Sequence, residues 1–428
     1  MRLNQPAAPS FYEASAAPQP PARESLQGDL HADIAVVGGG IAGCSAALHL
    51  AQRGYRVVVL EARFVGFGAS GRSGGQTIFG LAASQHTLVA QVGRDDARRL
   101  FDLSIEALNV TQALIRDFAI DCDYQPNHLH AAVKPRQVRE LQAWADELHH
   151  DYGYESARFV SGAELPAHVA STRYLAGLSD PRSGHLHPLK YTRGVARAAE
   201  NAGAVIFENS PVLRYENGAE VRVHTARGTV RCANLVLCCN AYIGALAPVL
   251  SRRILGVGTY IIATEPLGKE RAQALLPSNA AVADINWILD YFRRSEDDRM
   301  LFGGRVSYSS VQPPRLAEGM RKRMVHVFPS LADAKVAYAW GGYLDITMSR
   351  APNFGRLAPN VFYLQGFSGH GITLTGLAGK LVAEAVAGTS ERFDVFSRIP
   401  HRDFPGGPLF RRPSLVLAML YFRLRDLL

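Results

Sequence analysis

DIAVVGGGIAGCSAALHLAQRGYRVVVLE, residues 33–61, begins as a short apolar strand and turns through glycines into an amphipathic helix. Gly54 stops the helix, VVVL (57–60) forms a second apolar strand, and Glu61 ends it. Gly38 permits the tight turn, Gly40 lets the backbone approach a pyrophosphate, and Gly43 lets the helix pack closely on the sheet. The helix start at Ile41 and Ala42 offers unpaired N–H groups and the positive end of a dipole. Glu61, eighteen residues after Gly43, is spaced to accept hydrogen bonds from ribose hydroxyls. The whole unit reads as a dinucleotide site. An acid in place of an arginine selects a free 2′-hydroxyl, which leaves FAD and NAD both open.

The next stretch, ARFVGFGASGRSGGQTIFG (62–80), separates them. Its glycine density suits a backbone lying tightly against a flat ligand. Ala62, Gly68, Ala69, Gly74 and Gly75 are candidate contacts there, and Ser70, Arg72 and Ser73 candidate donors to phosphate or flavin oxygens. Near the far end, VFYLQGFSGHGITLTGLAGKLVAEAVAG (361–388) reads as a buried strand, a glycine turn and a helix over about 372–387. Gly366, Gly369, His370, Gly371 and Ile372 would thus aim a second helix N-terminus at the ligand, where oriented N–H groups can stabilise charge on a reduced flavin. An NAD dehydrogenase has no need of so distant an element.

Together these blocks resemble the FAD-dependent oxidoreductases of the D-amino-acid oxidase superfamily, over nearly the whole chain. GASGRSGG (68–75), HLHPLKY (185–191) and FGGR (302–305) are similar to its amine-oxidising branch, whose pattern includes gamma-glutamylputrescine oxidation. The resemblance implies a doubly wound α/β FAD domain with an inserted α+β substrate domain containing a largely antiparallel sheet. It also implies backbone near Val212 against adenine. The implied reaction takes a hydride from the carbon beside an amine nitrogen; the imine hydrolyses to aldehyde and ammonia, and O2 yields H2O2. Gamma-glutamylputrescine or a related amine is the expected substrate. A dehydrogenase of an amine, N-methyl or D-amino acid, passing electrons to a quinone or other acceptor, is the alternative. A flavin-binding protein with a sensing role is disfavoured by the glycines at both ends.

Composition sets bounds. At 428 residues and 47 % hydrophobic content, the chain can bury more than one core. The net charge of +8 comes from scattered arginines with no basic block, which argues against nucleic-acid binding. The cysteines (Cys44, Cys122, Cys232, Cys238, Cys239) show no CxxC spacing, so a reducing cytoplasm is expected. No signal peptide is read at the start. The tail RRPSLVLAMLYFRLRDLL (411–428) is read as a terminal helix packed on the body, in preference to an interfacial membrane helix.

The expected organisation is an N-terminal arm (1–29), FAD-domain segments at 30–85, 181–250 and 346–390, a helical substrate-side segment at 86–180, a substrate sheet at 251–345 and a tail helix at 391–428. The arm lacks a core of its own, but its aromatic pair Phe11 and Tyr12 can dock on the body. Helices are expected over 86–119 and 136–150, and alternating strands over 254–343.

Substrate-side candidates come from the sheet and the loops facing the flavin. Tyr260, Tyr291 and Trp340 are candidate walls or cation–π faces, with core packing the competing role. Arg305, after two glycines, is a candidate partner for a carboxylate. His370 is the candidate closest to the isoalloxazine ring. His185 and His187 lie two apart like metal ligands, but nothing completes a site, so no metal is expected. No cysteine follows Cys239, and neither His nor Cys stands between Glu61 and Gln85. Relatives that tether the flavin use such residues, so noncovalent FAD is expected.

Overall fold

The computed structural model describes residues 9–17, 20–307 and 314–407. Two sheets carry the fold. In the first, Thr229–Leu237, Leu30–Val37, Val57–Leu60 and Val205–Phe207 run parallel in that order. Val361–Gln365 extends the sheet in parallel, and Asn353–Ala358 closes its edge antiparallel. Strands covered on both faces must be apolar throughout, which is why AVV and VVVL are uninterrupted. Ile34 and Val36 face a core shared with the helices Ile41–Ala51, Pro188–Asn201 and Gly371–Val386. Ala35 and Val37 face the opposite core, beside the ribbon Arg214–Glu216 and Val221–His224.

The two glycine-turn helices touch directly. A Cβ on Gly379 would lie 2.4 Å from the Ala46 nitrogen, and Ser45 Oγ donates to Gly376 O at 2.7 Å. Gly379 therefore sets how closely the first and last segments of the nucleotide domain approach.

The second sheet runs Val336–Ile346, Leu255–Thr264, Met300–Ser307, Tyr291–Arg294, Ala281–Asp284, Gln125–Ala132, Ala176–His185, Gln76–Thr77. It is mixed: Ala281–Asp284 pairs parallel with Gln125–Ala132, and the other neighbours are antiparallel. It also reaches beyond 251–345. QPNHLHAA (125–132) and AGLSDPRSGH (176–185) carry polar residues and prolines that hide them from a hydrophobicity reading, and the second crosses the boundary expected at 180/181. One face of this sheet packs Tyr260, Ile262, Phe292 and Phe302 against Met320 and Met324 of the helix Leu316–Val327.

Helices occur at Gln85–Asp117, broken at Gly93 (φ 82°), and at Pro135–His150. Among the described residues, no helix is long and apolar enough to cross a membrane. The tail segment 411–428 lies outside the described residues.

Candidate active site

The nucleotide turn is built by close backbone approach. A Cβ on Gly43 would come within 1.9 Å of Gly38 O, and one on Gly40 within 2.8 Å of Ser70 Oγ. Gly38 takes φ 110°, a conformation only glycine holds without strain. Glu61 is buried beneath the turn. Its carboxylate accepts the N–H groups of Gly39 at 2.6 Å and Arg63 at 2.8 Å. Burial raises its pKa, and these bonds act against that. Ile41 N–H donates to Ser70 Oγ at 3.0 Å, tying the loop to the helix start.

The loop 66–75 is held by its own side chains. Arg72 is buried, donating to Phe67 O at 3.0 Å and Gly341 O at 3.4 Å and pairing with Glu13 at 3.3 Å. Its guanidinium is thus engaged in bracing the loop. Ser73 Oγ is buried without a hydrogen-bond partner. Gly68 and the short turn Ala69–Gly71 lie between these braces. Val212 is half-buried beside the core on the far face of the nucleotide sheet.

At the other end, Gly366 turns the chain at φ 78° out of Val361–Gln365. Its N–H donates to the buried Asp345 carboxylate, which also accepts Asn240 Nδ2 at 3.0 Å. Burial raises the Asp345 pKa to about 6. His370 is the N-cap of Gly371–Val386 and makes no side-chain cap, and Gly40 likewise caps Ile41–Ala51 without a side chain. Neither N-cap residue closes its own helix, and no carboxylate side chain caps either start; at the first, the Ser70 hydroxyl takes the Ile41 N–H.

Between the loop, the turn and the free face of the substrate sheet lies a cavity of about 460 Å³. Ser73–Gln76 and Ile78 enter it from the loop, and Ser368–His370 and Ile372 from the C-terminal turn. Val257, Thr259, Tyr291 and Leu344 line it from the sheet. The turn 284–289 and Arg350 complete it, with the Arg350 guanidinium carbon 5.1 Å from the Trp287 ring centre. Apolar side chains at this mouth are exposed, Trp287 at 41 % and Leu289 at 37 %.

Two histidines face the cavity. His130 comes from Gln125–Ala132, with its ring 5.1 Å from Trp144 and 4.5 Å from His128. His130 Nε2 and His370 Nδ1 are both buried without partners. Burial lowers the His130 pKa to about 3, with charge on His370 acting the same way. Burial lowers His370 to about 4, against a backbone hydrogen bond at Leu81. Both rings are neutral at pH 7. Asp284, also lining the cavity, is buried; that burial and the nearby Asp290 raise its pKa to about 7.

The candidates divide accordingly. His370 and Tyr291 reach the cavity, and Tyr291 covers Gly74 so closely that a Cβ there would meet its ring at 2.5 Å. Tyr260 does not reach it. Strand residues alternate faces, so with Val257 and Thr259 toward the cavity Tyr260 turns to the core behind. Trp340 is also outside, fully buried with Phe11 and Tyr12, its indole N–H donating to Arg72 O at 3.0 Å. Arg305 sits at a register shift opposite Thr259 and Tyr260, and its side chain lies outside the described part. His187 caps Pro188–Asn201 and His185 meets Asn279 O at 3.0 Å. His130, Asp284, Trp287 and Arg350 escaped the sequence reading. Only the HLH alternation at 128–130, resembling that at 185–187, hinted at the first.

The FAD dependent oxidoreductase (DAO) family profile matches residues 33–385, and the chain belongs to this family. It is 39 % identical over 97 % of its length, and 98 % of the relative's, to gamma-glutamylputrescine oxidoreductase of Escherichia coli (strain K12). It is 40 % identical, over 92 % of each chain, to the probable oxidoreductase OrdL of Haemophilus influenzae. In fold it is similar to glycine oxidase from Geobacillus kaustophilus (TM-score 0.70, 21 % identity, covering 84 % of this chain and 95 % of that one). It is likewise similar to L-amino acid deaminase from Proteus vulgaris (TM-score 0.72, 18 % identity, covering 87 % and 99 %). The residues fit FAD. The glycine cradle over Glu61 leaves no room for side chains, neither N-cap residue (Gly40 or His370) closes its own helix start, and the partnerless Ser73 hydroxyl lies on the cavity wall. The chain is therefore an FAD-dependent oxidoreductase.

Proposed function

We propose that this enzyme oxidises the C–N bond of an amine carrying an amino-acid head group, gamma-glutamylputrescine or a close analogue, with O2 as acceptor. The observation that carries this reading is Arg350, a cation set on Trp287 in the wall of a cavity that also holds neutral histidines and a buried aspartate. A substrate carboxylate pairs with the Arg350 guanidinium, and its ammonium with Asp284, whose raised pKa falls when a cation approaches. The aromatic walls Trp144, Trp287 and Tyr291 accommodate the methylene chain. His130 and His370, uncharged and with a free ring nitrogen each, accept a hydrogen bond from the reacting amine, which must be neutral when the hydride leaves. When bound, FAD supplies the two-electron acceptor. The imine formed from the substrate takes up water to give aldehyde and ammonia. The identity with the E. coli gamma-glutamylputrescine oxidoreductase supports the substrate class. All cysteines are free, which supports a cytoplasmic setting.

The test is an anaerobic spectrum of the yellow protein titrated with gamma-glutamylputrescine, putrescine and a panel of amino acids. Bleaching near 450 nm (a general flavin property) by the glutamylated amine, with peroxide on admission of air, is the expected result. Bleaching without rapid reoxidation in air would replace O2 with another acceptor. No bleaching by the glutamylated amine would overturn the substrate assignment.

A further inference from the structure

We propose that the N-terminal arm is a clasp on the FAD loop, so that residues outside the nucleotide domain set how tightly the flavin is held. The arm helix Phe11–Ser15 is closed by a reciprocal cap. Ser10 Oγ accepts from Glu13 N–H at 3.1 Å, and one oxygen of the Glu13 carboxylate accepts back from the Ser10 N–H and hydroxyl, both at 3.1 Å. The other oxygen of that carboxylate pairs with Arg72 at 3.3 Å. A helix-capping residue therefore also braces the loop at its arginine.

Tyr12 makes the second link. It is fully buried, 5.2 Å from the Trp340 ring and 4.8 Å from His187. Its hydroxyl accepts from Arg293 at 3.1 Å. Arg293 in turn donates to Gly74 O at 2.9 Å and to Leu186 O at 3.0 Å. Arg293 belongs to the substrate sheet, so the arm, the loop and that sheet meet on one guanidinium. Ser15 Oγ holds His187 Nε2 at 3.0 Å, and Arg193 donates to Ala16 O at 3.1 Å, keeping the helix seated.

A third link lies further along the arm. Arg23 pairs with Glu200 at 2.6 Å and Glu208 at 3.0 Å, and Glu208 also accepts Val65 N–H at 2.9 Å. The arm thereby reaches the loop directly at Arg72, and through Glu208 and Arg293 at Val65 and Gly74, on either side of Ser70, which itself holds the nucleotide helix start. Ordering a glycine-rich loop costs more backbone entropy than ordering any other kind of segment. A loop already ordered by the arm spares flavin binding that cost, as pre-organisation does for ligands generally.

The inference rests on FAD being the cofactor. It is tested by titrating FAD into the full-length apoprotein, reading flavin fluorescence, and by the melting temperatures of apo and holo forms. Tyr12→Phe keeps the ring and removes one bond to Arg293, and Glu13→Gln weakens the pair with Arg72. Each is expected to raise the FAD dissociation constant by about fivefold, and Phe11→Ala/Tyr12→Ala by more than about tenfold. The gap between holo and apo melting temperatures is expected to narrow, whereas a merely structural role would lower both equally. Unchanged FAD affinity in both single variants, or in a folded double variant, would overturn the clasp. Absence of flavin binding by the parent protein would instead count against the cofactor, a distinct outcome.

Discussion

Asp345, near the end of the substrate sheet's edge strand Val336–Ile346, accepts the N–H of Gly366 in the C-terminal glycine turn of the nucleotide domain. Through this one carboxylate, also bonded by Asn240, both domains are joined where the second helix N-terminus begins. Asp345→Ala leaves the buried Gly366 N–H and the half-buried Asn240 amide without this acceptor. The expected loss is ~1–3 kcal/mol for each orphaned donor, read by urea unfolding of the holoenzyme. A variant as stable as the parent would mean that the turn is held by other contacts.

Gly379→Ala should be costly although alanine favours helices. The added methyl would lie 2.4 Å from Ala46 N and 2.6 Å from Ser45 Oγ, so the two nucleotide-domain helices must separate. Overpacking of this kind costs ~1–3 kcal/mol, and an unfolding midpoint equal to the parent's would show that the helices yield freely.

Arg350→Gln should raise KM for gamma-glutamylputrescine by about 10- to 100-fold, the worth of a charge-assisted hydrogen bond. Turnover of putrescine, which lacks the carboxylate, should change little. Equal losses on both amines would remove Arg350 from head-group recognition.

Stability should fall in mild acid. His130 and His370 have pKa values lowered to about 3 and about 4 in the folded protein, against ~6.5 unfolded. The unfolded chain binds more protons in that window. Their contribution is therefore fully present above pH ~6.5 and lost progressively as pH falls toward their folded values. Melting temperatures from pH 7 to 4 should decline less steeply in His130→Gln than in the parent. A parallel decline would assign the acid sensitivity elsewhere.

FAD should be released by acid. Trichloroacetic-acid precipitation is expected to leave a colourless pellet and a yellow supernatant, and a yellow pellet would show a covalent tether.

Much of this was legible in local sequence. The unit from Asp33 to Glu61, the loop around Gly74 and the turn at Gly366 announce themselves because a ligand phosphate or flat ring forces glycine at short, regular spacing. The helix Gly371–Val386 was readable for the same local reason, since it follows directly on the glycine turn. The cavity wall was less so. His130 sits on a strand too polar to be recognised, and Asp284, Trp287 and Arg350 carry no motif.

The sequence by itself thus determined the family, the cofactor and the two glycine turns, since those depend on contacts made within a few residues. Only the tertiary structure decided which substrate-sheet side chains face the cavity. A strand sends neighbours to opposite faces, and the choice between Thr259 and Tyr260 is made by a helix some sixty residues away in the chain, whose Met320 and Met324 cover one face. The same holds for the arm. Nothing near Tyr12 foretells Arg293 or Gly74, because that meeting depends on the packing of three separate segments against one another.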